Sequence, residues 1–392
     1  MTIPPHILPG DSLQTLQSAH NLPHFRRALL AWYRVYHRPL PWRQTQDAYA
    51  IWISEIMLQQ TQVATVIEYY RRFLHRFPNV RSLAEAPQQE VLTLWSGLGY
   101  YRRARQLHLA AQQIVADHAG QFPNSIDGVL SLPGIGRYTA GAIVSFAYGH
   151  RAPILEANTV RLFSRLIGLR EDPKTAASQQ QLWSFAERIL PNSGARIGLV
   201  NQAVMELGSL ICTPKQPDCA ACPVRRFCAA HRAGIQADIP LRAPRPTFTP
   251  LHHALLVVQR GGKILVRQNP TEGWWAGLWD FPRIDLTALG WHADFEHNSR
   301  KSSQQLDLVQ HGMQHRLGLE LREAKTEYLK SMRHGVTRYR IALHCYRSQL
   351  KNPVQLPSAD NWQWLALAAE PELPLTSTAH KLRRWLLEQN GQ

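Results

Sequence analysis

Between residues 25 and 210, apolar side chains recur at intervals of three and four, the period of helices with one buried face. Breaks at Phe77-Pro78, Gln121-Phe122-Pro123 and Leu190-Pro191 cut this stretch into segments of helix length. An all-α body is therefore predicted, with Asp47 as the N-cap of a long periodic run over 48–77. Residues 234–250 carry Pro240, Pro244, Pro246 and Pro250 with few apolar anchors, and read as an interdomain linker. Beyond them the pattern changes to that of strands. Segments 253–259 and 263–267 flank Gly261-Gly262 as in a β-hairpin, and 338–346 alternates as a further strand, while 306–321 and 380–387 predict helices. The predicted organisation is an N-terminal extension (1–24), a helical domain (25–233), the linker (234–250) and an α+β domain (251–392).

Composition narrows the partners. The chain has 392 residues with 44% hydrophobic side chains, a globular balance, and its length suggests two or three domains each able to bury a core. Lys and Arg number 44 against 28 Asp and Glu, a net charge of +16, so a polyanion is expected, either nucleic acid or an anionic membrane face. No apolar stretch is long enough to span a bilayer, no basic amphipathic helix is evident, and residues 1–10 lack the basic and apolar regions of an export signal. A cytoplasmic protein is expected. The excess is shared, +11 over residues 1–250 and +5 over 251–392.

Three constellations carry chemistry. Cys212, Cys219, Cys222 and Cys228 lie within one short loop, whereas Cys345 is remote. Their spacing, Cys-x6-Cys-x2-Cys-x5-Cys, has a single CxxC and suits one [4Fe-4S] cluster better than the paired knuckles of a zinc site; zinc, or plain core cysteines, are the alternatives. Arg225 and Arg226 sit inside the loop as a phosphate contact or as two solvated cations. The second constellation is Leu-Pro-Gly-Ile-Gly-Arg-Tyr at 132–138, where Gly134 and Gly136 make either an ordinary interhelix turn or a phosphate-binding hairpin. The third is Glu55, alone among apolar residues of a helix. It is either a salt-bridged glutamate or an acid whose pKa burial raises until it can protonate a leaving group. Gln59, Gln60, Thr61 and Gln62 follow it with groups suited to base edges. Glu156, near Asn158, is a second carboxylate in apolar surroundings; one proton donor and one anion are what cleavage through a sugar cation needs.

Taken in order, Leu-Pro-Trp-Arg at 40–43, the Glu55 helix, Gly-Leu-Gly-Tyr-Tyr at 97–101, the 132–141 hairpin, Glu156 to Asn158 and the cysteine loop resemble the adenine DNA glycosylases of the MutY type, in the endonuclease III helix-hairpin-helix superfamily. The resemblance implies double-stranded DNA carrying adenine opposite 8-oxoguanine or guanine as substrate, hydrolysis of the N-glycosidic bond, and a protein acting as a monomer. By the same resemblance Glu55 is the acid that protonates adenine. Glu156 stands where the family usually has Asp, the residue that stabilises the sugar cation, so the charge is kept while its reach grows by one methylene. Tyr138 and Asn158 match pocket residues. Gln60 and Tyr100 match residues inserted into the duplex, and Leu40, Trp42 and Arg43 belong to the motif that walls the adenine pocket. Related lyases carry a Lys at the hairpin position held here by Tyr138, so strand nicking through a Schiff base is not expected. The rival readings are an endonuclease III-like lyase and a non-catalytic iron-sulfur DNA-binding protein.

The C-terminal domain resembles the Nudix-like domain with which this family reads 8-oxoguanine. A working Nudix hydrolase needs closely spaced glutamates for Mg²⁺, yet the matching helix has no carboxylate between Asp307 and Glu320, so nucleotide hydrolysis is not expected. Thr337 and Arg338 fall where the family contacts the oxidised base, as a hydroxyl and a phosphate or base contact, or are ordinary strand residues.

Overall fold

The computed structural model describes residues 16, 21–194, 196–241, 247–291, 301–319, 325–349, 361–369 and 372–390. Most of the 1–24 extension, the middle of the linker and the last two residues of the helix predicted over 306–321 lie outside them. The chain forms two compact units, residues 1–85 with 105–244 and residues 86–104 with 245–392.

The first unit is helical. Helix α1 (Asn21–Tyr36) buries Phe25, Leu29, Trp32 and Tyr33 on one face. A single 3₁₀ turn (Pro41–Arg43) leads to α2 (Ala48–Leu58), whose N-cap is Asp47, accepting from the amides of Tyr49 and Ala50. The periodic run over 48–77 is two helices rather than one. Gln60 takes φ 57° and α3 starts only at Val63 (Val63–Arg76), because Gln59 to Gln62 offer no apolar face to continue α2. Next come α4 (Val80–Glu85), α5 (Gln88–Leu94), α6 (Arg102–Asp117), α7 (Ile126–Leu130), α8 (Arg137–Ala147), α9 (Ala157–Ile167), α10 (Ala176–Arg188), α11 (Arg196–Leu210) and the short α12 (Ala229–Arg232). Of these, α5 and the start of α6 group with the second unit, where Tyr101 Oη donates to Leu375 O at 2.9 Å. Phe25, Leu29, Phe163, Phe185, Val200 and Val204 share the core joining α1, α9, α10 and α11. Helix α2 is apolar all round and buried on every face, so a polar residue on it lies inside the unit.

The second unit is α+β. Strands β1 (Thr249–Arg260), β2 (Lys263–Gln268), β3 (Trp279–Asp280), β4 (Arg283–Asp285), β5 (Lys325–Val336), β6 (Tyr339–Gln349) and β7 (Trp362–Ala366) form one mixed sheet, ordered β3-β2-β1-β6-β5 with β4 on β1 and β7 on β2. The predicted hairpin is present: Arg260 pairs with Lys263 across Gly261 and Gly262, whose φ of 53° and 72° glycine adopts without strain. Strand β1 runs parallel to β6 and is buried on both sides. Leu255 and Val257 face a core shared with α14 (Ser377–Asn390), while Ala254, Leu256 and Val258 face one shared with α13 (Lys301–Leu317). The sheet is thus sandwiched between two helices, which explains why its central strand lacks an apolar-polar alternation. Among the described residues no helix is long and apolar enough to cross a membrane.

Candidate active site

Glu55 occupies the middle of α2 and is 3% exposed. Burial pushes its carboxyl up to about 7, the charge of Glu156 adds to the rise, and a hydrogen bond from Tyr138 together with the charge of Arg43 opposes it. The Tyr138 hydroxyl donates to Glu55 Oε2 at 2.7 Å, from the first turn of α8. Burial and the facing carboxylates raise the phenol well above its ordinary value, so it serves as a neutral donor. The two residues are 83 positions apart, and the packing of α8 against α2 makes them partners.

Glu156 lines the same cavity as Glu55, about 190 Å³ in volume, together with Tyr138, Asn158, Leu40, Trp42, Arg43 and Thr61. It is the N-cap of α9. Its Oε2 accepts from Asn158 N at 2.8 Å and its Oε1 from Thr159 N at 3.0 Å. Burial raises this carboxyl above its usual range, and the hydrogen bonds from Asn158 and Thr159 and the Arg161 charge restrain the rise. The helix N-terminus also favours the anion.

Glu206 on α11 was not singled out in the sequence, yet it anchors one wall of the cavity. Its buried carboxylate accepts from Arg38 N (2.8 Å), Nε (2.9 Å) and Nη2 (2.7 Å), and from Arg43 Nη2 (2.8 Å). Burial alone would raise its pKa, but these bonds outweigh it and hold the group down to about 2. Arg43 is therefore an ion-paired wall residue. The overlooked signal was the same as for Glu55, a single carboxylate in an apolar helical run. Arg161 was likewise unassigned. It joins the cavity to the cysteine loop, donating to Asn158 Oδ1 (2.9 Å), Gly208 O (2.7 Å) and Cys212 O (2.7 Å).

The remaining residues take distinct places. Trp42 packs edge-on against Tyr70 with ring centroids 5.4 Å apart. Gln59 Nε2 donates to Thr139 Oγ1 at 3.4 Å, and Gln60 holds the strained turn after α2. In the hairpin, Gly134 has φ 77° and Gly136 caps α8 with no side chain to accept from the first-turn amides. A Cβ at Gly134 would lie 2.6 Å from Gln106 Cβ, so glycine is required twice over. In the second unit Tyr100 is 59% exposed at φ 49°. Thr337 (φ 49°) and Arg338 form the turn joining β5 to β6, and Arg338 Nη2 donates to Tyr339 Oη at 3.0 Å.

Cys212, Cys219, Cys222 and Cys228 line one cavity as free thiols, with Arg165 among its walls. Arg165 is buried and its Nη1 donates to Cys212 Sγ at 3.3 Å. Burial pushes the Cys222 thiol up to about 12 and the Cys228 thiol up to about 11. Among the described residues no three His, Cys, Asp or Glu side chains converge on a point as for a single metal ion. Four thiols around one cavity beside a buried guanidinium fit, in kind, the donor set of a four-thiolate cluster. Arg225 turns back on its loop, donating to Ala220 O at 3.3 Å, and Arg226 lies over the Phe227 ring.

Fold and cavity define the class: residues 53–188 match the HhH-GPD superfamily of base excision DNA repair proteins, and residues 253–384 match the NUDIX domain. The chain is 34% identical over 294 residues to the adenine DNA glycosylase of Buchnera aphidicola subsp. Schizaphis graminum, covering 74% of this chain and 84% of that protein. It is also 37% identical to the adenine DNA glycosylases of Rattus norvegicus, over 68% of this chain, and Homo sapiens, over 66%. It spans 62% and 57% of those two proteins' own lengths. The chain belongs to the adenine DNA glycosylase family.

Proposed function

We propose that this protein is a base-excision-repair glycosylase that hydrolyses the N-glycosidic bond of adenine mispaired with 8-oxoguanine or guanine in duplex DNA, acting as a monomer. The observation that carries this reading is the buried Glu55, hydrogen-bonded to Tyr138 and raised to about 7, sharing one cavity with Glu156.

The adenine leaves the base stack at a cost of a few kcal/mol, offset by contacts from Gln60 and Tyr100. It enters the cavity walled by Leu40, Trp42, the Arg43–Glu206 pair and Thr61. Protonated Glu55 gives its proton to N7 of the base, so the C1′–N9 electron pair leaves with a neutral adenine. Positive charge then spreads over the sugar C1′ and ring oxygen, and the Glu156 anion, held at the α9 N-terminus, stabilises it. Glu55, now anionic, takes a proton from the water that attacks C1′. Tyr138 carries no amine, so no Schiff base forms and the strand is not nicked.

Asn158 orients the sugar through Glu156, with its Nδ2 donating to Oε2 at 3.3 Å. Gln59 contacts bases, the amides after Gly134 and Gly136 bind a phosphate, and Thr337 and Arg338 contact 8-oxoguanine and its backbone. Cys212, Cys219, Cys222 and Cys228 hold a [4Fe-4S] cluster. These four thiolates would be its ligands, and holding it would tie the 212–228 loop together. The functional boundaries we assign are 25–233 for the glycosylase domain and 251–392 for the recognition domain.

The test offers A:8-oxoG, A:G and thymine-glycol duplexes to the protein and to Glu55→Gln, scoring the base released, strand nicking and borohydride trapping. Adenine release without nicking, lost in the variant, is expected. Release of thymine glycol with trapping, or full activity of Glu55→Gln, would overturn the reading.

A further inference from the structure

Glutamate is a poor N-cap. The favoured caps are short, and a longer carboxylate must freeze additional rotors to reach the same amides. Yet Glu156 caps α9 with both oxygens engaged, and what compensates is visible three residues on. Thr159 is fully buried. Its Oγ1 accepts from Glu156 N at 2.7 Å and donates to Glu156 O at 3.0 Å, while its own amide donates to Glu156 Oε1 at 3.0 Å. Two of these bonds fix the backbone from which the carboxylate springs and the third fixes one of its oxygens. The arrangement is a reciprocal capping box with its usual roles exchanged, the acid at the cap and the hydroxyl on the third residue.

We propose that Thr159 is a positioning residue for the reaction: its hydroxyl locks the Glu156 backbone so that the carboxylate meets the sugar cation at the cavity. This rests on the assignment of Glu156 as the cation-stabilising anion. The hydroxyl is the element that matters. Thr159→Val keeps the shape and the amide bond to Oε1, but leaves the part-buried Glu156 N–H without its Oγ1 acceptor, a change that displaces the backbone. A displacement approaching an ångström at a reacting group costs up to about a hundredfold in rate.

The experiment compares wild type, Thr159→Val, Thr159→Ser and Glu156→Gln on two duplexes that hold unreactive sugars opposite 8-oxoguanine. One carries a pyrrolidine nucleotide, cationic where the sugar becomes cationic, and the other an uncharged tetrahydrofuran nucleotide. Single-turnover adenine release is measured alongside. Wild type is expected to prefer the cation. Thr159→Val should lose roughly tenfold or more in both this preference and the excision rate, while binding the tetrahydrofuran duplex as wild type does, which also reports that the variant folds. Thr159→Ser, which keeps the hydroxyl, should recover most of the loss. If Thr159→Val retains the full cation preference while Glu156→Gln loses it, the role of Thr159 is overturned and that of Glu156 stands. If Glu156→Gln also retains it, the assignment of Glu156 falls, and the proposal with it. Equal losses for Thr159→Val on both duplexes would mark a merely structural residue and would equally overturn the proposal.

Discussion

At the scale of single residues, the two buried glutamates facing the cavity from α2 and α11 show how context decides chemistry. Both are lone carboxylates in apolar helical runs, and burial acts to raise both. Glu206 meets two guanidiniums and is held down to about 2, whereas Glu55 meets a phenol and Glu156 and rises to about 7. The sequence marked Glu55 as a candidate acid but could not separate it from a salt-bridged glutamate, because the deciding partners, Tyr138 for one and Arg38 and Arg43 for the other, are distant in the chain.

A pH dependence follows for Glu55. In the proposed mechanism Glu55 acts in its acid form, so the excision rate should fall as pH rises through about 7. Tyr138 donates to the anion and lowers this pKa, so Tyr138→Phe should move that falling limb to higher pH, as a pH-rate profile would reveal. Stability has the same origin. With a folded pKa above the unfolded one, the stability contribution is complete below about 4.5 and is lost as pH rises through about 7, by about 3 kcal/mol in all. Glu55→Gln removes that loss. It should therefore melt above the wild type at pH 8 but close to it at pH 4, and equal melting temperatures at pH 8 would contradict the burial argument.

At the scale of elements, local signals were read well where a short-range rule fixes them. Asp47 caps α2, the Gly261-Gly262 turn closes a hairpin, and Gly134 adopts the positive φ that its turn demands. The run over 48–77 was misjudged, since apolar periodicity on both sides hid the break that Gln60 makes. Gly134→Ala tests the hairpin. The substitution meets both an unfavourable φ and the Gln106 Cβ at 2.6 Å, so it should cost roughly 1–3 kcal/mol of stability and weaken duplex affinity. Thermal unfolding and a duplex titration measure the two effects. Unchanged affinity in a folded variant would remove this turn from the DNA-binding surface.

At the scale of the whole molecule, the net charge of +16 sets the physics of approach. Each phosphate neutralised releases counterions, so affinity for any duplex should fall roughly a thousandfold or more between 50 and 200 mM salt if six or more phosphates are engaged. Titrations at several salt concentrations give the slope, and a flat response would argue against a phosphate-dominated interface. The ratio between A:8-oxoG and undamaged duplexes should change far less, because base contacts release few counterions.

The sequence by itself determined the helical and α+β character of the two halves, the clustered cysteine set, the basic excess and two candidate carboxylates in apolar runs, since all of these follow from period, spacing and composition. Only the tertiary structure decided which groups act together. Glu55 meets Tyr138 across 83 residues, Glu206 takes up Arg38 and Arg43, and Arg161 bridges Asn158 and the Cys212 carbonyl. Burial and charge pairing set proton affinity, and both belong to neighbours that only the packing of α2, α8, α9 and α11 brings together.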